Sequence, residues 1–287
     1  MNQSERRNFL IQSLLEESRE YRGMQIPSDS TGQRQLLRGL MNVRMVKKSS
    51  AEFLNIQDAY LQEETAKKGV TDVDDLTPVQ QGLYLWQGDI TALRCDAIVN
   101  AANSGMTGCY VPNHRCIDNC IHTFAGVQLR LYCEEMMEAQ GHAEPTGQAK
   151  ITPAYNLPCR YVLHTVGPIV GGHLTETHCR QLADCYRNSL NLAKEHELHS
   201  IAFPAISTGV YGYPLEDATE IAVKTVTQWL EDHADYAMQV IFCCFDARTE
   251  RVYQARTLQQ RKRQDGRGTV SWQAGWAWLP NPVLKME

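Results

Sequence analysis

The chain has 287 residues, of which 43% are hydrophobic and 21% charged, and its formal net charge is −5 at pH 7. That length suits one large domain, or one domain with a substantial extension. The acidic balance excludes a global attraction to nucleic acid or anionic lipid, and no run of about 18 apolar residues suggests a membrane span.

The opening stretch, MNQSERRNFLIQSLLEESRE, is charged throughout and lacks the apolar core and small-residue cleavage site of a secretory signal. The ten cysteines are not spaced as a disulfide framework, and several lie inside apolar runs, such as Cys243 and Cys244 in Val240-Ile-Phe-Cys-Cys-Phe245. They read as reduced thiols of a cytoplasmic protein, a subset of which is available to ligate metal.

Residues 1 to 75 carry helical periodicity. Leu10, Ile11, Leu14 and Leu15 mark one amphipathic stretch, and Phe53, Leu54, Ile56, Tyr60 and Leu61 another. The polar segment Pro27-Ser-Asp-Ser-Thr-Gly-Gln33 reads as a loop between them. The pattern changes at Leu83. Leu83-Tyr-Leu-Trp86, Ala97-Ile-Val99, Tyr161-Val-Leu-His-Thr-Val166, Ile201-Ala-Phe203 and residues 240–245 are short β-rich runs that suit strands buried on both faces. Helical patterns over 118–140, 178–197, 215–232 and 247–261 separate them, so an α/β sandwich with a mixed, mostly parallel sheet is expected. The main domain is placed at 76–265, after the helical extension of 1–75, with a tail over 266–287. The basic stretch 259–267 and the nearby Trp272, Trp276 and Trp278 read as a solvated helix end and a packed tail; a nucleic-acid role is disfavoured by the net charge.

Three segments fall where a doubly wound sheet binds ligands, beyond the carboxyl ends of strands. Gly88-Asp-Ile-Thr91 offers a carboxylate to a base amino group or a ribose hydroxyl. The strand Asp96-Ala-Ile-Val-Asn-Ala-Ala-Asn103 ends on an amide that both donates and accepts. Phe203-Pro-Ala-Ile-Ser-Thr-Gly-Val-Tyr-Gly-Tyr-Pro214 runs from a strand through a glycine-containing turn to a helix start, where successive N–H groups can meet a phosphate. By themselves these segments imply a nucleotide-like ligand.

In this order, and with a terminal strand ending Phe-Cys-Cys-Phe-Asp246, the segments resemble the macrodomain family over roughly residues 78–262. The resemblance implies a three-layer α/β/α macrodomain that binds ADP-ribose. It places Asp89 and Ile90 at the adenine end, with Phe245 near the adenine face. Ser207, Thr208, Gly209, Val210 and Tyr211 would wrap the diphosphate, and Asn103 would face the distal ribose.

Between Asn103 and the next helix lies Gly105-Met-Thr-Gly-Cys-Tyr-Val-Pro-Asn-His-Arg-Cys-Ile-Asp-Asn-Cys-Ile-His122. Thiolate and imidazole suit zinc, and a turning loop lets close-spaced ligands converge. Cys120 and His122 fall in the helical pattern that begins at Ile117 and point in different directions, with Cys120 expected to be buried. The loop set Cys109, His114 and Cys116 is therefore the expected metal site, within a zinc loop of 104–117. Three protein ligands leave a fourth position open, as in catalytic zinc sites. The Pro-x-His-x-Cys-Ile-Asp-Asn-x-Ile-His run resembles the zinc-dependent macrodomain branch, known as protein-ADP-ribose hydrolases. The resemblance implies an enzyme that removes mono-ADP-ribose from protein side chains; a monomer is expected, and a carboxylate linkage is favoured, with serine or another acceptor as the alternative. A non-catalytic ADP-ribose reader and an O-acetyl-ADP-ribose deacetylase are the rivals. Asn103 would position the ribose, while Asp118 would either orient substrate or water or merely cap its helix.

Overall fold

A computed structural model describes residues 1–264; the tail and its three tryptophans lie outside the described residues. The amino-terminal region folds into three helices, α1 (Gln3–Glu17), α2 (Ser30–Val43) and α3 (Ala51–Lys68). Helix α2 begins inside the segment read as a loop, because Asp29 caps it by accepting from the Gly32 N–H (2.8 Å). An aspartate followed by Ser-Thr-Gly serves a turn and an N-cap equally well. Leu10, Ile11, Leu14, Leu37, Leu40, Phe53, Tyr60 and Leu61 form the buried apolar centre of this bundle.

After α3 come β1 (Thr71–Asp72), β2 (Pro78–Gln80), β3 (Leu83–Gln87), β4 (Leu93–Arg94) and β5 (Ala97–Ala102). Helices α4 (Ile117–Ala125) and α5 (Val127–Gln140) follow, and then β6 (Ala149–Pro153), β7 (Tyr161–Val166), α6 (Glu176–Glu195), β8 (Ser200–Phe203), α7 (Leu215–Asp232), β9 (Gln239–Cys244) and α8 (Ala247–Gln264). The helix expected over 118–140 is thus two helices. They part at Gly126, whose φ of 100° is closed to most side chains and whose added Cβ would lie 2.6 Å from Gln57 Nε2.

Seven strands form one sheet in the order β2-β3-β9-β8-β5-β7-β6. The five inner strands are parallel, and the edge strands β2 and β6 run antiparallel to their neighbours. Alternation along the strands divides the core. Ala97 and Val99 of β5 and Phe203 of β8 pack with Leu182, Tyr186, Ala222 and Val226 under α6, α7 and α8. Ile98, Val162 and Ile241 pack with Ile121, Leu129 and Cys133 under α4 and α5. The result is a three-layer α/β/α sandwich, as expected, because each inner strand needs apolar residues on both faces.

The helical extension docks on α4 and α5. Buried Arg130 of α5 donates to the carbonyls of Met41 (3.4 Å), Asn42 (2.8 Å) and Arg44 (2.9 Å) at the carboxyl end of α2, where a cation is favoured. Gln57 of α3 accepts from the Val127 N–H at the start of α5 (2.9 Å). No helix of the described residues is long and apolar enough to cross a membrane.

Candidate functional site

Because β3, β9, β8, β5 and β7 are parallel, their carboxyl ends share one edge of the sheet. The segments singled out in the sequence leave from that edge: Asp89 and Ile90 after β3, Asn103 after β5, residues 207–211 after β8 and Phe245 after β9. The Gly88 N–H donates to the Cys244 carbonyl (3.1 Å), which ties the end of β3 to the end of β9 and sets Asp89 beside Phe245 in the fold. Phe245 is 80% exposed, so its ring is a surface available to a ligand rather than a core aromatic.

Asp89 accepts from the Thr91 N–H (2.9 Å) and hydroxyl (2.6 Å) and is ion-paired to Lys68 at the end of α3. Burial works against its charge, but the Lys68 and Thr91 hydrogen bonds outweigh it and hold the carboxyl below its ordinary range. Ile90 is buried beneath it. The turn after β8 is drawn tight by Tyr213 N–H to the Ser207 carbonyl (3.0 Å) and Gly212 N–H to the Gly209 carbonyl (3.0 Å). Ser207 is buried and left-handed (φ 64°), while Gly209 and Val210 are exposed at the tip. The N–H groups of Gly209, Val210 and Tyr211 meet no acceptor among the described residues, which suits an anion. Gly167, after β7, lets this turn approach: a Cβ there would sit 2.1 Å from Ser207 Oγ.

Cys109, His114 and Cys116 converge, with their ligand atoms all within 4.8 Å of one another and each residue half-buried. Cys109 Sγ lies 3.5 Å from His114 Nδ1. Tetrahedral zinc with bonds of about 2.3 Å to sulfur and about 2.0 Å to nitrogen calls for a separation of roughly 3.5 Å. Two thiols and one imidazole are also the donor chemistry zinc prefers, so the residues present fit that ion. Burial and the neighbouring Cys109 push the Cys116 thiol up to about 12, although the Asn119 N–H opposes them. A cation held at this point would reverse that preference by favouring the thiolates. Cys120 stands apart and is half-buried rather than buried, its sulfur 3.4 Å from Arg38 Nη2. His122 is fully buried in α4.

The cap of α4 is Cys116, whose sulfur accepts from the Asn119 N–H (3.4 Å). Asp118 therefore does not cap the helix. Its carboxylate turns inward, accepting from Asn100 Nδ2 (2.8 Å) and Asn103 Nδ2 (3.3 Å). Burial raises its pKa to about 6 against these hydrogen bonds and the charge of Arg130. Asn103 also donates to the Gly108 carbonyl (3.0 Å) and accepts from the Gly105 N–H (3.0 Å), so it joins Asp118 to the first turn of the metal-type loop. Beneath them His164 lies against Asn100 (3.1 Å) and Thr152 (3.0 Å), its imidazole pulled by burial down to about 3.

Sequence reasoning missed Lys68, Asn100, Asn119 and Arg38. Asn100 left a signal, as a lone amide in an apolar strand. Asn119 donates to the carbonyls of Cys109 (3.2 Å) and Val111 (3.0 Å) and so laces the loop to α4. Lys68 and Arg38 come from the extension, and no local pattern connects them to a site some 20 to 80 residues further along.

A doubly wound α/β/α sheet whose carboxyl edge carries a turn with free N–H groups and a loop with three soft donors has the arrangement of a nucleotide-binding protein. The macro domain family's sequence profile matches residues 99–222. A Treponema medium protein named protein-ADP-ribose hydrolase is 56% identical over 257 residues, covering 88% of this chain and 98% of its own length. A Staphylococcus aureus protein of the same name is 44% identical over 251 residues, covering 86% of this chain and 93% of its own. A mutant of the Oceanobacillus iheyensis macrodomain, solved with ADPR, is 37% identical with a TM-score of 0.59, covering 65% of this chain and 98% of that one. The chain belongs to the macro domain family.

Proposed function

We propose that this protein removes ADP-ribose from ADP-ribosylated protein side chains, cleaving an ester to aspartate or glutamate, with zinc held by Cys109, His114 and Cys116. The observation that carries the reading is the position of Asn103. Its amide touches both Asp118 and the loop that bears the three metal-type ligands, at the end of the strand where a distal ribose is expected. The names of the Treponema and Staphylococcus relatives support hydrolysis, and the ADPR-bound Oceanobacillus structure supports the ligand.

Asp89 takes the adenine amino group, Phe245 lies along the base, and the turn 207–211 holds the diphosphate with backbone N–H groups. With the nucleotide held in this way, the distal ribose would lie against Asn103. Asp118, with its pKa raised to about 6, is ionised at neutral pH yet basic enough to accept a proton from an attacking water. The water oxygen joins the ester carbonyl, the bond to the ribose oxygen breaks, and the ribose leaves with a proton. Zinc would supply Lewis acidity beside that bond.

The test is release of ADP-ribose from proteins modified on carboxylates, with serine-modified protein in parallel. Release from the carboxylate-linked substrate, lost on Asp118→Asn, is the expected result. Binding of ADP-ribose without release from either substrate would make the chain a reader.

A further inference from the structure

We propose that Arg38, on helix α2 of the amino-terminal extension, is a positioning residue for the loop that carries Cys109, His114 and Cys116. The part of this claim that concerns zinc rests on the proposed function; the part that concerns loop order does not. Arg38 reaches out of its own bundle. Its Nη2 donates to the His114 carbonyl (2.8 Å) and to Asn119 Oδ1 (3.0 Å), and lies 3.4 Å from Cys120 Sγ. The contact to Asn119 settles which way that fully buried amide faces. With Oδ1 turned to the guanidinium, Nδ2 faces the loop and donates to the carbonyls of Cys109 and Val111. One cation thus holds the carbonyl of one ligand residue directly and that of another through Asn119.

Asn42, one turn further along α2, adds a second clamp. Its Oδ1 accepts from the N–H of Asn113 (2.9 Å), a left-handed residue (φ 56°) beside His114, while its Nδ2 donates to Thr123 of α4 (2.8 Å). Residues 103–116 contain no helix or strand that would fix them otherwise. Holding such a segment in one conformation costs backbone entropy at every residue, so the contacts from α2 and α4, beside those Asn103 makes within the loop, keep the three ligands convergent. All three contacts come from one nitrogen, Nη2, and a lysine at position 38, shorter and unforked, would not carry its Nζ to the same point. The extension is therefore part of the metal site, joined to it by α2.

The experiment compares the full chain with Arg38→Ala, Arg38→Lys and Asn42→Ala. The control is Arg34→Ala, which removes an outward-facing ion pair of the same helix with Glu64. Amide hydrogen exchange is read on the metal-free proteins, and zinc affinity by competition with a chromogenic chelator. Arg38→Ala is expected to speed exchange across residues 104–117 about tenfold or more, with the central sheet unchanged, and to weaken zinc about 10–100-fold. Arg38→Lys should recover only part of each effect, and Arg34→Ala should leave both near the parent values. If Arg38→Ala fails to fold, Asn42→Ala and Arg38→Lys carry the comparison. Loop exchange equal to the parent, or exchange raised evenly throughout the chain, overturns the proposal. Loosening of the loop in a chain whose parent takes no zinc supports Arg38 as a positioning residue and refutes the zinc reading instead.

Discussion

Asp118 shows how much a single placement matters. A carboxyl two residues into a helix on the surface would be an ordinary favourable charge near the positive end of the dipole. Here it faces inward, 5% exposed, between two asparagine amides. Asp118→Asn should lower release of ADP-ribose by about 10²–10⁴-fold while leaving ADP-ribose affinity within about fivefold, as steady-state rates and calorimetry would show. In the parent the rate should climb with pH as Asp118 ionises, about 6 in the metal-free chain and lower with zinc bound, because the ionised form is the base. Cys109→Ala and His114→Ala remove metal donors, so each should lose zinc and release together, measured by metal analysis of the purified variants beside the rate.

The buried residues below Asp118 set a pH dependence of stability. His164 falls from 6.5 to about 3 on folding, so between those values the unfolded chain binds the extra proton and stability rises with pH. Asp118 is lifted from 3.8 to about 6 and works in the opposite sense between those values. The histidine window is wider, and burial pulls His122 down as well. Urea unfolding should therefore show stability increasing from about pH 3 to 6.5; a flat or falling profile would contradict the buried, neutral histidines.

Among the elements, the inner strands were the most legible. Val99, Val162, Ile201 and Val240 belong to short apolar runs that no exposed strand would carry, and all four lie in the parallel part of the sheet. The edge strands were not legible, because Pro78–Gln80 has only three residues and Ala149–Pro153 interleaves Lys150 and Thr152 with its apolar residues, so neither makes an apolar run. Helix α2 was hidden by a cap that also reads as a turn, and the break at Gly126 by apolar spacing that continues across it. Gly126→Ala should cost about 1–3 kcal/mol, since alanine is strained at a φ of 100° and would press on Gln57. A shift of the urea midpoint reads this directly, and an unchanged midpoint would mean that the two helices can realign.

Across the molecule, the site is assembled from two sources of different legibility. Residues that follow strands, such as Asp89, Asn103 and the turn 207–211, stand in sequence segments whose chemistry and position could be read together. Residues that reach in from the extension could not, because Arg38 and Lys68 meet the loop and Asp89 only after α2 and α3 have packed on α4. The sheet positions the segments proposed to cradle the nucleotide, and the extension packs on the side where the metal-type loop stands. The most direct test of the whole account is release of ADP-ribose from a mono-ADP-ribosylated protein before and after zinc chelation, with ADP-ribose binding measured on the same samples. Chelation is expected to abolish release, added zinc to restore it, and binding to survive throughout. Full release from a metal-free chain would contradict that expectation.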